Sequence, residues 1–235
     1  MEANSAASGP VAGGRSGAGG RKEGRYHHGD LRNALIRAAI ELAVEGGPDA
    51  VVLRAAARKV GVSATAAYRH FEGQNDLLGA VKEYGQQRLV ASMESVGRDE
   101  VHGTGPAATR ARMVALGRGY IRFAREEPGL YRTAFCHKVL GSLDAIPSDG
   151  PEACEEDSGH EVRSFRMLSE TLDEAVAVGL IAPGRRPGAE LSAWATVHGT
   201  AMLFLDGPLG ALPQQEADQV VDRVLHDIVA GLTSP

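Results

Sequence analysis

Residues 63–71 combine side chains that suit the surface of duplex DNA. In a helix that turns by about 100° per residue, Ala67 and Phe71 share one side, while Thr65 and Arg69 point the opposite way. An arginine can bond guanine edges or phosphate, and a threonine can bond a base or touch a thymine methyl group. We therefore predict DNA contacts from a set of polar and small residues in and near this segment: Ser63, Thr65, Ala66, Tyr68, Arg69, His70, Gln74, Arg25 and Arg54.

The elements that must hold this face form a helix-turn-helix pattern. Gly61 supplies the left-handed residue that ends a short helix, and Ser63 offers a hydroxyl that caps the next one. Val62 and Ala67 are spaced as a hydrophobic staple, so the second helix begins close behind the first and is predicted to run to about Phe71. The short helix before the turn carries its apolar residues at helical spacing, namely Leu53, Ala56, Ala57 and Val60.

Two longer helices flank this motif, which spans about residues 52–71. The preceding helix is predicted to start from an N-cap at Asp30 and to stop at Gly46, and the following helix is predicted to start at Asn75. Their inward sides carry Leu31, Leu35, Ala38, Ala39 and Leu42 in the first, and Leu77, Leu78, Val81 and Tyr84 in the other. The four helices together predict a small DNA-binding domain over residues 25–95.

The segment before this domain predicts a flexible basic arm. Residues 1–24 consist mainly of Gly, Ala and Ser with a few basic side chains, a composition that cannot bury a core. Residues 1–95 carry 12 Lys and Arg against 10 Asp and Glu, whereas residues 96–235 carry 13 against 20. The net charge of −5 therefore combines a mildly basic N-terminal part with an acidic remainder, and it does not argue against a nucleic-acid partner.

Residues 96–235 continue in a helical pattern without the alternation typical of strands, which predicts a second helical domain and an all-α fold. Residues 141–160 are rich in Gly, Pro, Ser, Asp and Glu and are predicted to form an exposed acidic loop. Apolar helices over about 189–207 and 214–232 are the candidate dimer seam, with packing inside one chain as the alternative.

Aromatic residues of this second part are candidate walls of a ligand pocket, although most aromatic residues at helical spacing are core residues. Trp194 and His198 share one helix face, where an indole and an imidazole could contact a ligand. The favoured interpretation of His198 is an interior histidine bonded to its neighbours, because no carboxylate or second histidine stands at ligand spacing. The full candidate set is Tyr120, Phe123, Tyr131, Phe135, Met167, Trp194 and His198.

The residue pattern gives little support to an enzyme or a metal site. Ser192, His198 and Asp206 could be nominated as a triad, but their helical offsets scatter them over different faces. The adjacent His27 and His28 are interpreted as phosphate partners or solvated residues rather than metal ligands. The two cysteines lack zinc spacing, and no apolar run suits a signal peptide or a membrane span. We expect no catalytic residue, no cofactor and a cytoplasmic location.

Three stretches in and just after the motif closely resemble the tetracycline-repressor family of bacterial regulators. They are Gly-Val-Ser at residues 61–63, Ala-Tyr-Arg-His-Phe at 67–71 and Asp-Leu-Leu at 76–78. The resemblance covers residues 26 to about 90. The start of that region, Tyr-His-His-Gly-Asp-Leu-Arg at residues 26–32, is similar to one branch of the family. Trp194 followed by His198 and Gly199 also resembles the Trp-His-Gly signature of a C-terminal domain in the family.

The resemblance implies a homodimer that binds a DNA operator and a small-molecule effector of unknown identity. We call the DNA-binding domain of each copy its reading head. Two reading heads spaced by about 34 Å would read a pseudo-palindrome on one face of DNA, and effector binding would move them apart. Gln74 stands where the family usually has a lysine, and Val52 stands where a threonine usually caps the second helix. Both differences are expected to weaken the reading head, so a ligand-binding protein with lost DNA binding is the alternative function.

Overall fold

The protein is helical throughout the part that the structure describes. The computed structural model describes residues 28–136 and 159–234. The described residues contain no strand, which confirms the predicted all-α fold, and short 3-10 turns lie at Pro48–Ala50, Pro183–Arg185 and Pro208–Ala211. The α-helices within these ranges are α1 (His28–Gly46), α2 (Leu53–Val60), α3 (Ala64–Ala67), α4 (Gln74–Glu100), α5 (Pro106–Glu126), α6 (Pro128–Ala134), α7 (Gly159–Ala177), α8 (Ala189–Leu205) and α9 (Gln214–Thr233).

Local sequence signals form the turn between α2 and α3 as predicted. Gly61 has a φ of 82°, in the left-handed region that a side chain would disfavour, and it ends α2. The Ser63 hydroxyl then accepts a hydrogen bond from the backbone N–H of Ala66 at 3.2 Å. This cap satisfies one of the backbone donors that a helix start leaves open. The two helices are therefore joined by a turn of fixed geometry.

Two predicted helix starts differ from the structure. Helix α1 begins at His28, so Asp30 lies in its first turn rather than at its N-cap. An acidic residue suits the first helical turn as well as the cap because both lie at the positive end of the helix dipole. Helix α4 begins at Gln74 rather than at Asn75, with Gly73 as its N-cap.

The third helix is shorter than predicted. Regular α-helix ends at Ala67 rather than near Phe71, and the next residues form turns. The N–H of His70 donates to the carbonyl oxygen of Ala67 at 3.0 Å, a contact between residues three apart that tightens the last turn. The N–H of Phe71 also donates to Ala67 at 3.2 Å, so the chain keeps a helical course up to the buried Phe71.

Helix α4 joins the N-terminal helices to the rest of the protein. It packs against α1 on one side and against α5, α6 and α7 on the others. It also runs without interruption through residue 95, where the boundary between the two domains is predicted. Buried residues from both parts, such as Leu35, Phe71, Phe123 and Tyr131, belong to one contiguous core. A displacement in the C-terminal helices can therefore reach the N-terminal helices through packed side chains.

The short helix α6 packs against the end of α1. A Cβ atom on Gly129 would lie against the carbonyl oxygen of Ala43 and 2.7 Å from that of Val44. Glycine is required here because the opposing atoms are backbone atoms of α1 and cannot rotate away. The glycine thus allows direct contact between α6 and the last turn of α1.

Some predicted segments lie outside the described residues. These are the basic arm over 1–24 with Arg25 and His27, and the acidic loop over 141–160 apart from residues 159 and 160, which open α7. The two helices predicted over about 189–207 and 214–232 correspond to α8 and α9.

Candidate nucleic-acid interface and aromatic cluster

Helix α3 and the turns that follow it, residues 64–71, present the predicted face at the protein surface. We call these residues the α3 segment. Thr65, Tyr68 and Arg69 are exposed, and 49% of Tyr68 is accessible to solvent. Ala67 and Phe71 are buried on the opposite side, so they anchor the segment in the core of the N-terminal helices. Among the other predicted contact residues, Ser63, Gln74 and Arg54 are exposed, and Ala66 and His70 are half-buried.

The end of the motif is held by the first turn of α4. The backbone N–H of Glu72 donates to Asp76 Oδ2 at 3.1 Å, which closes the turn between the α3 segment and α4. Gln74 is the first residue of α4 and is exposed. Helix α2 has no side-chain cap, because Val52 at its N-cap position carries no hydroxyl group.

The N-terminal helices expose several arginine side chains at the protein surface. Arg54, Arg58 and Arg69 are exposed and form no ion pair with any residue that the structure describes. Lys59 of the same region does pair, with Glu41 at 2.9 Å and with Glu45. Uncompensated guanidinium groups beside an exposed helical segment suit phosphate and base contacts, because these groups give most of the affinity of a protein for DNA.

Arg32 is a candidate contact residue that sequence reasoning missed. Its guanidinium carbon lies 5.0 Å from the ring centroid of Phe71, a cation–π contact between α1 and the α3 segment. A cation–π contact uses none of the N–H donors of a guanidinium group as hydrogen bonds, and Arg32 is exposed, so it can still donate to a phosphate. No spacing rule detects this residue, since its contact joins two segments that are distant in sequence.

Three polar atoms meet at the centre of the C-terminal helices. The hydroxyls of Tyr120 on α5 and Tyr131 on α6 lie 2.9 and 2.8 Å from Nδ1 of His198 on α8. The Tyr131 hydroxyl also donates to the Tyr120 hydroxyl at 3.3 Å. Burial raises the pKa of the Tyr131 phenol above its ordinary range, so this hydroxyl keeps its proton at neutral pH. His198 is half-buried and bonded to both tyrosines, and whether it also contacts a ligand stays a prediction.

Aromatic rings surround this polar centre. Phe135 lies 4.9 Å from Tyr131 and 5.2 Å from His198 between ring centroids, and the Trp194 ring lies 5.0 Å from that of His198. Phe123 contacts Tyr131 at 6.2 Å, and Met167 packs against the same core. The rings pack against one another, and Trp194 with 36% exposure brings the group to the surface. We call Tyr120, Tyr131, Phe135, Trp194 and His198 the aromatic cluster.

Comparisons with known proteins agree with this geometry. The family model described as bacterial regulatory proteins, tetR family, matches residues 35–81, and the one described as tetracyclin repressor-like, C-terminal domain, matches residues 113–228. A protein of unknown function from Rhodococcus sp. RHA1 is 30% identical, with a TM-score of 0.67 over 90% of this chain and 100% of that chain.

The chain belongs to the tetracycline-repressor family.

Two further solved structures share the fold of this family. A TetR family transcription regulator from Marinobacter aquaeolei VT8 is 17% identical, with a TM-score of 0.58 over 87% of this chain and 96% of that chain. A TetR variant from Acinetobacter baumannii AYE in complex with minocycline is 18% identical, with a TM-score of 0.54 over 86% of this chain and 98% of that chain. A comparison with curated proteins gives no match.

Membership of the tetracycline-repressor family makes the protein a DNA-binding transcriptional regulator, and the family is not an enzyme family. The nominated triad does not come together, because His198 bonds the two tyrosines while Asp206 accepts a hydrogen bond from Arg132 at 2.5 Å. Within the described ranges, no three His, Cys, Asp or Glu side chains are grouped as metal ligands. None of the helices in these ranges is both long and apolar enough to cross a membrane.

Proposed function

We propose that the protein is a homodimeric repressor that leaves a pseudo-palindromic operator when a small molecule binds its C-terminal helices. The observation that carries the proposal is the exposed face of Thr65 and Arg69, which is anchored by the buried Ala67 and Phe71. Such a segment contacts only a few bases, so a second reading head is needed to specify a site. A regulator of this bacterial family would act on DNA in the cytoplasm.

Predicted contact residues keep their roles in this proposal. Arg69 and Thr65 would read base edges, while Arg54, Gln74, Tyr68 and His70 would contact phosphates. Arg32 is added to the phosphate contacts because its stack on Phe71 holds it beside the α3 segment. Residues 25–95 would form the DNA-binding domain, and residues 96–235 would form the effector-binding and dimerisation domain.

Exposed apolar side chains on α8 support the proposed dimer. Leu191 is 61% exposed, and Met202 and Leu203 are also exposed about three turns further along the same helix. A single chain gains nothing from apolar side chains in water, whereas a second copy could bury them. We propose that α8 and α9, the helices predicted over about 189–207 and 214–232, form this seam.

Helix α6 provides a route from the aromatic cluster to the reading head. Its Tyr131 bonds His198, its Gly129 abuts the last turn of α1, and its final carbonyl, that of Ala134, accepts a hydrogen bond from Gln86 of α4 at 3.2 Å. A molecule that displaced the rings of the cluster would move α6 and therefore both α1 and α4. A protein of this fold can bind a small molecule, because the related structure from Acinetobacter baumannii AYE contains minocycline.

DNase I footprinting of the full chain on the DNA upstream of its own gene tests the proposal. We expect protection of a pseudo-palindrome whose half-sites lie about 34 Å apart, with much weaker binding to a random duplex. Equal binding to both duplexes at every salt concentration, low salt included, would show that the protein does not read sequence. That result would favour the alternative of a ligand-binding protein of the same fold that has lost DNA binding, for which Gln74 and Val52 are the supporting residues.

A further inference from the structure

Gln86 of α4 is a buried polar side chain that uses only half of its amide group. It is 1% exposed. Its Nε2 donates to the carbonyl oxygen of Ala134, the last residue of α6, at 3.2 Å. Its Oε1 is buried as well and has no hydrogen-bond partner among the residues that the structure describes. An amide oxygen can accept two hydrogen bonds, so Gln86 holds an unused acceptor between α4 and α6.

The single hydrogen bond of this amide fixes its orientation. Exchanging the nitrogen and the oxygen would place Oε1 against the carbonyl oxygen of Ala134, and two acceptors repel each other. The unpaired atom is therefore an acceptor, and it needs an N–H or O–H donor. The other buried polar side chains of the described ranges differ, because the hydroxyl of each donates to a neighbouring oxygen: Thr109, Thr133, Thr171 and Thr200.

Close packing holds the amide at this place. Gly85, the residue before Gln86, faces α6, and a Cβ atom on it would lie 2.9 Å from the Cβ of Ala134 and 3.2 Å from the carbonyl oxygen of Leu130. Helices α4 and α6 are thus in direct contact beside the amide. The position of Gln86 relative to the end of α6 is therefore set by backbone packing as well as by its hydrogen bond.

The end of α6 that Gln86 contacts leads directly into the aromatic cluster. Phe135 follows Ala134 in the chain, and its ring centroid lies 4.9 Å from that of Tyr131 and 5.2 Å from that of His198. The Tyr131 hydroxyl and the His198 imidazole bond each other. A molecule that enters between these rings would find aromatic surface from the cluster and, beside it, the buried acceptor of Gln86.

We propose that Gln86 determines the specificity of the effector site, and that the effector is a small aromatic molecule that donates an O–H or N–H hydrogen bond to Gln86 Oε1. The inference rests on the proposed effector site and adds the chemical class of the molecule. The rings of the cluster match an aromatic body. Oε1 is already removed from water, so a donor gains a hydrogen bond without a further desolvation cost on the protein side. A molecule without a donor leaves the acceptor unpaired.

Titration of the full-length protein with phenol and with anisole, followed by Trp194 fluorescence, tests the proposal. Trp194 is the only tryptophan of the chain and belongs to the aromatic cluster. The two probes share a ring, and only phenol carries a donor. Gln86→Met keeps the side-chain length but has no amide oxygen, so it should lower the ratio of phenol affinity to anisole affinity at least about tenfold. Gln86→Glu should keep the ratio within about threefold, because a buried, protonated carboxyl can donate to Ala134 and still accept.

Gln87→Met is the matched control, since Gln87 is the next residue of α4 and is exposed, and it should leave the ratio unchanged. The proposal is overturned if neither probe binds the unchanged protein, or if Gln86→Met keeps its ratio. If Gln86→Met does not fold, a tenfold lower ratio in Gln86→Glu overturns the proposal instead. These titrations contain no DNA, so they can fail while the operator footprint is obtained. Conversely, a missing footprint would refute the proposed repressor and leave the role of Gln86 in binding intact.

Discussion

Arg69 and Arg54 are both exposed on the reading head, but they lie on different helices and should affect DNA binding in different ways. Arg69 stands on the face that can enter the major groove, where an arginine bonds guanine edges. Arg54 stands on α2, the helix that crosses the DNA backbone in a helix-turn-helix protein, where it would meet phosphate. Arg69 should therefore contribute sequence specificity, and Arg54 should contribute general affinity for DNA.

We therefore expect Arg69→Ala to weaken operator binding by at least about 1 kcal/mol and to affect a random duplex much less. Arg54→Ala should weaken binding to both duplexes alike and reduce the slope of log affinity against log salt by about 1. Fluorescence anisotropy with both duplexes over a range of salt concentrations measures the two effects, and Arg110→Ala on α5 is the control. If all three variants had the same ratio of operator affinity to random-duplex affinity, Arg69 would not read bases.

The Tyr131 hydroxyl should contribute to stability through the aromatic cluster. Tyr131→Phe removes the hydrogen bonds to His198 and Tyr120 in a buried site, so the free energy of unfolding should fall by about 0.5 to 1.5 kcal/mol. Urea unfolding followed by circular dichroism measures this. Tyr68→Phe, which removes an exposed hydroxyl, should cause almost no change. A similar loss in both variants would contradict a specific role for the buried hydroxyl.

At the scale of elements, helix α6 has more contacts with functional parts than its length suggests. Its Arg132 also bonds the carbonyl oxygen of Leu205 and the carboxylate of Asp206 at the end of α8. One short helix thus touches the C-terminal end of α8, the end of α1 and the middle of α4. Any change in its position must alter at least one contact with the reading head.

Gly129→Ala should disturb this element selectively. The added methyl group would meet backbone oxygens of α1, so α6 or α1 must shift, and the free energy of unfolding should fall by about 1 to 3 kcal/mol. Operator affinity should change as well, because the shift acts on the reading head. Gly79→Ala in α4 is the control, since no atom lies near its added Cβ and alanine favours a helix. The same response in both variants would show that the α6–α1 contact is not tight.

The sequence predicts those elements whose signals are local. The turn at Gly61 and Ser63 and the outward direction of Arg69 follow from cap chemistry and helical periodicity, which operate within a few residues. Helix α6 was not predicted because its seven residues are too few to show a period, although Pro128 at its first position was a usable signal. The positions of Arg32 over Phe71 and of the two tyrosines on His198 depend on how separate helices pack, and no local rule contains that information.

At the scale of the whole molecule, ion pairs join the helices of the C-terminal part, whereas Arg54, Arg58 and Arg69 form none within the described residues. Arg112 of α5 bonds Glu174 of α7 at 2.8 Å, and Arg125 of α5 bonds Asp218 of α9 at 2.8 Å. These pairs link α5 to α7 and to α9. The acidic excess of residues 96–235 also repels DNA, so the electrostatic attraction is concentrated on the N-terminal helices.

The same pairs should make the protein less stable in acid. A hydrogen bond from Arg112 and another from Thr109 lower the pKa of Glu174, and Arg125 with Gln214 lowers that of Asp218. Each carboxyl therefore binds a proton more readily in the unfolded chain, where its pKa is about 3.9 to 4.3, than in the folded protein. The stabilisation by these two pairs is complete at pH values above the pKa range of the unfolded chain. It is lost as the pH falls through that range towards the lower pKa values of the folded protein.

Urea unfolding at a series of pH values from about 6 to 3 should therefore show a free energy of unfolding that declines below about pH 5. In the double variant Arg112→Gln and Arg125→Gln, the folded pKa values return towards those of the unfolded chain, so the decline should become shallower. Both carboxylates are partly exposed, which limits the effect through solvent screening. If the double variant and the unchanged protein decline in parallel, other carboxylates control the acid response, and the links from α5 to α7 and α9 contribute no pH-dependent stability.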